Sequence, residues 1–389
     1  MQAGVAPMEV KPFRVDVEED VLQEIRHRLA RARWAAAPVD DADWQYGTDA
    51  AWLRSLVDYW ISEYDWRSAE HGLNRWPQYK AVVGGTEIHF YHVKGSGAGS
   101  RPLLLTHGWP GSVLEFQFCI ERLAFPERHG GHAREGFDLV IPSLPGHGFS
   151  ARPARPIGPR AVAKLWRQLM VDVLGYKEFV AQGGDWGAAV TSWLGIDHAD
   201  ATRAIHLNML PSWVFAPANP AEVGEVEYHA RVAAVRAAEL GYFAIQSTKP
   251  QTVALALTDS PLGFAAWVCE KFRSWGDTQG DIESRFSRDT LITNLMLYLV
   301  NDAVGPALWM YRGRADESPP GARVPRVEVP TGVACFPAEF IPYPPRVVAE
   351  RAYAVARWTQ MHAGGHFAAL EEPAAFSDEV RAFFSQIGF

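Results

Sequence analysis

The sequence is short of cysteine, and its start has no apolar run. Cys119, Cys269 and Cys335 are the only three cysteines among 389 residues, and their spacing suits neither a disulfide framework nor a metal site. They read as buried reduced thiols, which sets the expectation of a cytoplasmic protein. Met1 to Lys11 lacks the hydrophobic stretch of a signal peptide or membrane anchor, so a soluble protein without a membrane partner is expected. Basic residues are not in excess. The net charge of −8 argues against a nucleic-acid partner. The glycine-rich loop Pro145 to Ser150 lacks the Lys-Ser/Thr ending of a phosphate cradle. With 48% hydrophobic and 21% charged residues, the composition is that of a globular chain with a large core.

The most informative stretch is Gly183-Gly184-Asp185-Trp186-Gly187. Glu178 to Gln182 before it reads as a short buried strand, and Ala188 to His198 after it reads as an apolar helix. Small residues at Gly183 and Gly187 allow a sharp turn to pack against that helix. Helix-start N–H groups are free to face an anion there. The turn has the form of a nucleophile elbow with aspartate where an esterase has serine. A carboxylate needs no base to activate it, and it can attack an sp³ carbon to form an ester on the enzyme itself.

Two further motifs supply partners. Leu103 to Thr106 reads as a strand that leads into His107-Gly108-Trp109-Pro110-Gly111-Ser112. The N–H groups of Trp109 and Trp186 are the expected oxyanion donors. Pro110 is expected to follow a cis bond, and His107 to hydrogen-bond the loop without doing chemistry. Near the end, Arg357 to Met361 reads as a strand, and Gly364-Gly365-His366-Phe367 follows it. In the order nucleophile, acid, base, His366 is the base. The acid falls after the strand Gly332 to Phe336, at Glu339, with Asp302 and Asp316 as alternatives. Glu371 and Glu372 read as the acidic start of the last helix.

The chain divides into four segments. Residues 1–80 are expected to be mainly helical, with Leu22, Ile25 and Leu29 at helical spacing, and to pack on the core. Residues 81–213 alternate strands and helices, as a parallel sheet requires. Residues 214–312 are helical and read as an inserted cap. Residues 313–389 finish the sheet, with Asp316 to Pro330 as the link back from the cap. Trp109 and Trp186, with Trp213 or Trp267, are candidates to line an apolar pocket.

Taken together, these motifs resemble the epoxide hydrolases of the α/β-hydrolase superfamily, in the microsomal and fungal branch that carries an N-terminal extension. The likeness extends to Glu24 to Leu29, Trp52 to Trp60, Asp65 to Arg67, Gln246 to Pro250 and Asp259 to Pro261. It implies an α/β-hydrolase fold, a mostly parallel sheet flanked by helices, with a helical cap and the extension. It also implies an enzyme that turns an epoxide and water into a vicinal diol. No metal or organic cofactor is needed, and a homodimer is one assembly open to it. Two cap tyrosines are implied to protonate the epoxide oxygen. The first maps onto Tyr242; the second maps onto Tyr311, with Tyr298 as the alternative. Detoxification and secondary metabolism are the roles the family implies. A haloalkane dehalogenase, which also uses aspartate in this turn, and a non-catalytic binding protein on the same fold are the competing readings.

Overall fold

The computed structural model describes residues 9–389 apart from 98, 100, 216–218, 220–221 and 318–322. Met1 to Met8 of the apolar-run argument, and the middle of the Asp316 to Pro330 link, lie outside the described residues. Nine strands form one sheet: β1 Val10–Phe13, β2 Gln78–Val83, β3 Thr86–Val93, β4 Pro102–Thr106, β5 Asp138–Pro142, β6 Phe179–Gly183, β7 Thr202–Leu207, β8 Val327–Cys335 and β9 Tyr353–Gln360. Their order is β1-β2-β3-β5-β4-β6-β7-β8-β9. β1 to β3 are antiparallel, and β3 meets β5 antiparallel; every pairing from β5 to β9 is parallel. β4, β5 and β6 are buried at every residue. This is why they read as continuous apolar runs and not as alternating ones, since helices cover both faces of the sheet.

The chain leaves β4 for β5 on one side and later returns to β6 on the other. Such a reversal opens a crevice beyond the carboxyl ends of the two strands. Thr106 and Gly183, their last residues, are paired in register. The Trp109 and Asp185 turns therefore emerge side by side. The helix Trp186–Asp197 that follows is apolar all round and is buried from Trp186 to Gly195, as its central position under the sheet demands.

Between 214 and 312 the described residues hold helices and no strand, the longest being Glu225–Glu239, Pro261–Trp275 and Arg288–Leu299. Ser260 and Ser287 cap two of them by accepting from Gly263 N and Thr290 N. No single described helix is long and apolar enough to cross a membrane.

Several boundaries differ from the sequence reading. The cut at residue 80 falls inside β2, and the cut at 312 falls inside the helix Trp309–Glu317. β1, with Pro12 in it, is an edge strand of four residues, too short to show a period. β8 begins at Val327, five residues before the expected Gly332. It carries register shifts around Pro330, which hid its first half. The N-terminal segment also contacts the cap: Thr48 donates to the Ala266 carbonyl at 2.6 Å, Trp52 to Glu283 at 3.0 Å and Arg28 to Asp259 at 2.9 Å. The first segment thus braces the cap as well as the sheet.

Candidate active site

Asp185 sits at φ +48°, ψ −125°, a strained backbone for a residue with a side chain. Such geometry costs about 1–3 kcal/mol and persists only where its surroundings impose it. Here the two loops press together. A Cβ on Gly108 would strike the Asp185 side chain, and one on Gly187 would strike the Thr106 carbonyl. Oδ1 of Asp185 accepts a hydrogen bond from the Trp109 N–H at 2.8 Å. Oδ2 is left facing His366, whose Nε2 lies 3.5 Å away. The first oxygen is thus held in a backbone donor's grip and the second is free to attack. The Trp109–Pro110 bond is cis. His107 donates from Nδ1 to the Gly108 carbonyl at 2.9 Å and accepts at Nε2 from Leu144 N–H at 3.1 Å. Burial pushes this histidine down to about 4, so it stays neutral.

His366 is buried on the loop after β9, joined to the loop after β8 by an Ala338–Gly365 bridge. Its Nδ1–H donates to both carboxylate oxygens of Glu339, each at 3.0 Å, which leaves Nε2 turned to Asp185. Burial alone would pull His366 down. The facing carboxylates of Glu339 and Asp185 outweigh it and hold the imidazole well above its usual value. The two facing carboxylates thus favour the protonated imidazole.

Tyr242 and Tyr311 stand over Asp185 on two cap helices, their rings 5.8 Å apart and nearly perpendicular. Both line, with Asp185 and Trp186, a cavity of about 390 Å³ walled also by Trp213, Phe243 and Phe340. Burial, with the negative charge of Asp185 behind it, pushes Tyr242 well above the usual phenol value. Tyr311 is raised likewise by burial, then by Tyr242 and Asp185. Each hydroxyl thus keeps its proton. The Tyr311 hydroxyl is buried with no hydrogen-bond partner among the described residues. An unpaired buried hydroxyl costs about 1–3 kcal/mol, and an oxygen placed in the cavity would relieve that cost. No described group of three His, Cys, Asp or Glu side chains could hold a metal ion.

The family "Epoxide hydrolase N terminus" matches residues 10–116, and "alpha/beta hydrolase fold" matches residues 101–239. A protein of Stigmatella aurantiaca that carries the epoxide hydrolase name provisionally is 40% identical over 97% of this chain and 85% of its own length. Epoxide hydrolase 1 of Sus scrofa is 32% identical over 96% of this chain and 88% of its own. The crystal structure of juvenile hormone epoxide hydrolase from Bombyx mori superposes with a TM-score of 0.86 at 30% identity, covering 97% of this chain and 95% of that one. The Aspergillus niger epoxide hydrolase structure gives 0.86 at 29%, covering 99% and 97%.

The chain belongs to the epoxide hydrolase family.

Within this family member, the alternatives left open by the sequence separate by place. Tyr298 donates to the Gly111 carbonyl and holds the Trp109 loop, away from the cavity wall that Tyr311 occupies. Asp302 lies in an exposed turn, and Asp316 pairs with Arg312 on the surface. Trp213 lines the cavity, whereas Trp267 spends its N–H on Gln246 at 3.0 Å. The Trp109 ring stacks behind Tyr242 at 5.3 Å instead of facing the cavity.

Three residues escaped the sequence reading. Glu371 does not start the last helix, which is Pro373–Gln386. Its carboxylate accepts from Gly365 N at 3.0 Å, Phe367 N at 2.9 Å and Asp277 N at 2.7 Å, clamping both sides of His366 to the cap. Only the contact across the fold reveals this. Glu371→Gln turns an NH₂ toward those donors. We expect it to lower stability by about 1–3 kcal/mol, read by thermal and urea denaturation, with kcat reduced more than KM is changed. An unaltered melting curve would contradict the clamp. Glu115 is a second omission. Burial pushes its carboxyl up to about 8, with His366 pulling against the shift, which leaves a protonated acid beside the triad. The third is Arg314, which shares the cavity wall.

Proposed function

We propose that this enzyme hydrolyses an epoxide that is apolar, aryl or bulky around the oxirane, through a covalent ester on Asp185. The observation that carries the reading is a carboxylate oxygen on Asp185 that the Trp109 N–H leaves unbound, together with two phenols that keep their protons on the wall of one aromatic cavity. Oδ2 attacks one oxirane carbon, and the C–O bond breaks. Tyr242 and Tyr311 hydrogen-bond the departing oxygen and deliver its proton, a step worth about 10²–10⁴-fold. Alkylation leaves the Asp185 carbonyl oxygen on the Trp109 N–H. The Trp186 N–H, first of its helix, joins it as the negative charge builds, each donor contributing roughly 3–4 kcal/mol.

Esterification also removes one of the two anions that hold the His366 proton. The imidazolium then gives up its proton, which restores the tyrosine that protonated the departing oxygen, and the neutral imidazole is a base at the moment a base is needed. It takes a proton from water as the water attacks the ester carbonyl, and Glu339 balances the imidazolium that forms. The tetrahedral intermediate then collapses, the acyl C–O bond to the substrate breaks, and the departing diol oxygen takes the proton from His366. The sign of the pH effect follows. Ester hydrolysis should slow as pH falls and His366 is reprotonated, while alkylation stays level across neutral pH. Stopped-flow tryptophan fluorescence separates the two phases. A pH-independent second phase would count against the switch. Tyr242→Phe and Tyr311→Phe should each slow the first phase by about 10–10²-fold and leave the second nearly alone.

One observation favours the dehalogenase reading: the indole N–H of Trp186, on the cavity wall, is buried without a partner among the described residues, as a halide donor would be. The decisive assay compares diol formation from both styrene oxide enantiomers with bromide release from bromoalkanes. Halide release without diol would overturn the proposal. Detoxification or secondary metabolism belongs to the same proposal, supported only by the aromatic cavity wall. So does a cytoplasmic location, which the three buried free cysteines support and cell fractionation tests. A homodimer is tested by sedimentation.

A further inference from the structure

The cavity wall is mainly apolar and aromatic; besides Asp185 its polar members are Ser212, Ser247 and Thr248 and two arginines, Arg314 and Arg236. Arg314 lies one turn beyond Tyr311 on the helix Trp309–Glu317, hence on the same face and about 5 Å farther out. Its guanidinium carbon is 4.5 Å from the Trp213 ring centroid and 6.0 Å from that of Phe243, so two aromatic walls fix its direction. Its Nε is buried with no hydrogen-bond partner among the described residues. Burial, then repulsion from Arg236, lowers its proton affinity. Neither arginine forms an ion pair or hydrogen bond with a described carboxylate, and none of the residues outside the described set is acidic. Glu239, one turn from Arg236, makes no ion pair with it among the described residues, and its charge reaches Tyr242. The contrast with their neighbours is plain: Arg312 pairs with Asp316, and Arg351 with Glu225 at 2.8 Å.

Two cations on the cavity wall, Arg314 half-buried and Arg236 exposed, without a paired carboxylate, form an incomplete site. Resting on the epoxide hydrolase reading of the same cavity, we propose that Arg314 and Arg236 bind an anionic group, a carboxylate, at the far end of the epoxide substrate. The oxirane lies under the tyrosine pair, an apolar body of a few carbons or one aryl ring spans the cavity, and the carboxylate meets the planar guanidinium of Arg314 in a bidentate pair. The two ends fix which oxirane carbon faces Asp185, so the arginines are positioning residues that set regiochemistry.

The test uses 4-(oxiran-2-yl)benzoate, its methyl ester and styrene oxide with the full chain at low ionic strength. The acid should exceed the ester in kcat/KM by about tenfold or more, and 0.5 M KCl should narrow the gap. Arg314→Met, which keeps an apolar stem, should bring the acid-to-ester ratio to about one. Arg314→Lys should retain part of it, and Arg236→Met should lower it less. An ester that is turned over as well as the acid, or a ratio unchanged in both methionine variants, overturns the inference and leaves the epoxide hydrolase reading standing. Failure of all three epoxides overturns that reading and this inference with it.

Discussion

Asp185→Ala should lower kcat/KM for epoxide hydrolysis by about 10⁴-fold or more, with the fold intact by circular dichroism. The size of the effect comes from what remains. The tyrosines still polarise the oxirane, but only water could attack it, unheld and without a base of adequate geometry. The donor at Trp109 loses the oxygen it grips. The strain at φ +48° exists to present this carboxylate, and alanine keeps the strain without the purpose. Residual activity within about tenfold of the parent would mean that another group opens the ring.

His366→Gln should lose steady-state turnover by a comparable factor while still opening one equivalent of epoxide. Glutamine fills similar space and can donate to Glu339, so the loop is not emptied. It cannot take a proton from water. The ester on Asp185 then accumulates, and intact-protein mass rises by the mass of one substrate. A burst of one equivalent followed by arrest is the expected trace. Lost binding alone would give neither burst nor mass shift.

What could be read from the chain depended on whether the backbone or the packing decided it. The Asp185 turn and the His107 to Ser112 loop were legible because their work needs glycine and proline at set positions. His366 was legible because the order of strands placed it. The choice between Tyr311 and Tyr298 was not legible. Both lie in cap helices, and only the fold turns one into the cavity and the other to the Gly111 carbonyl. Glu371 was misread for a related reason. Its place just before Glu372-Pro373 fits a helix start locally, while its carboxylate turns back to Gly365 and Phe367 and meets Asp277 from a distant loop. Arg314 carried no signal in a stretch already rich in arginine. Its meaning came from the missing counterion.

The measurement closest to the central claim is a single turnover of the unaltered enzyme, in molar excess over styrene oxide, in ¹⁸O water. The diol is analysed by mass spectrometry together with the peptide containing Asp185. If Asp185 is esterified, the first diol carries no label and Asp185 gains one ¹⁸O. Label in the first diol, with Asp185 unlabelled, would show direct attack by water and contradict the account.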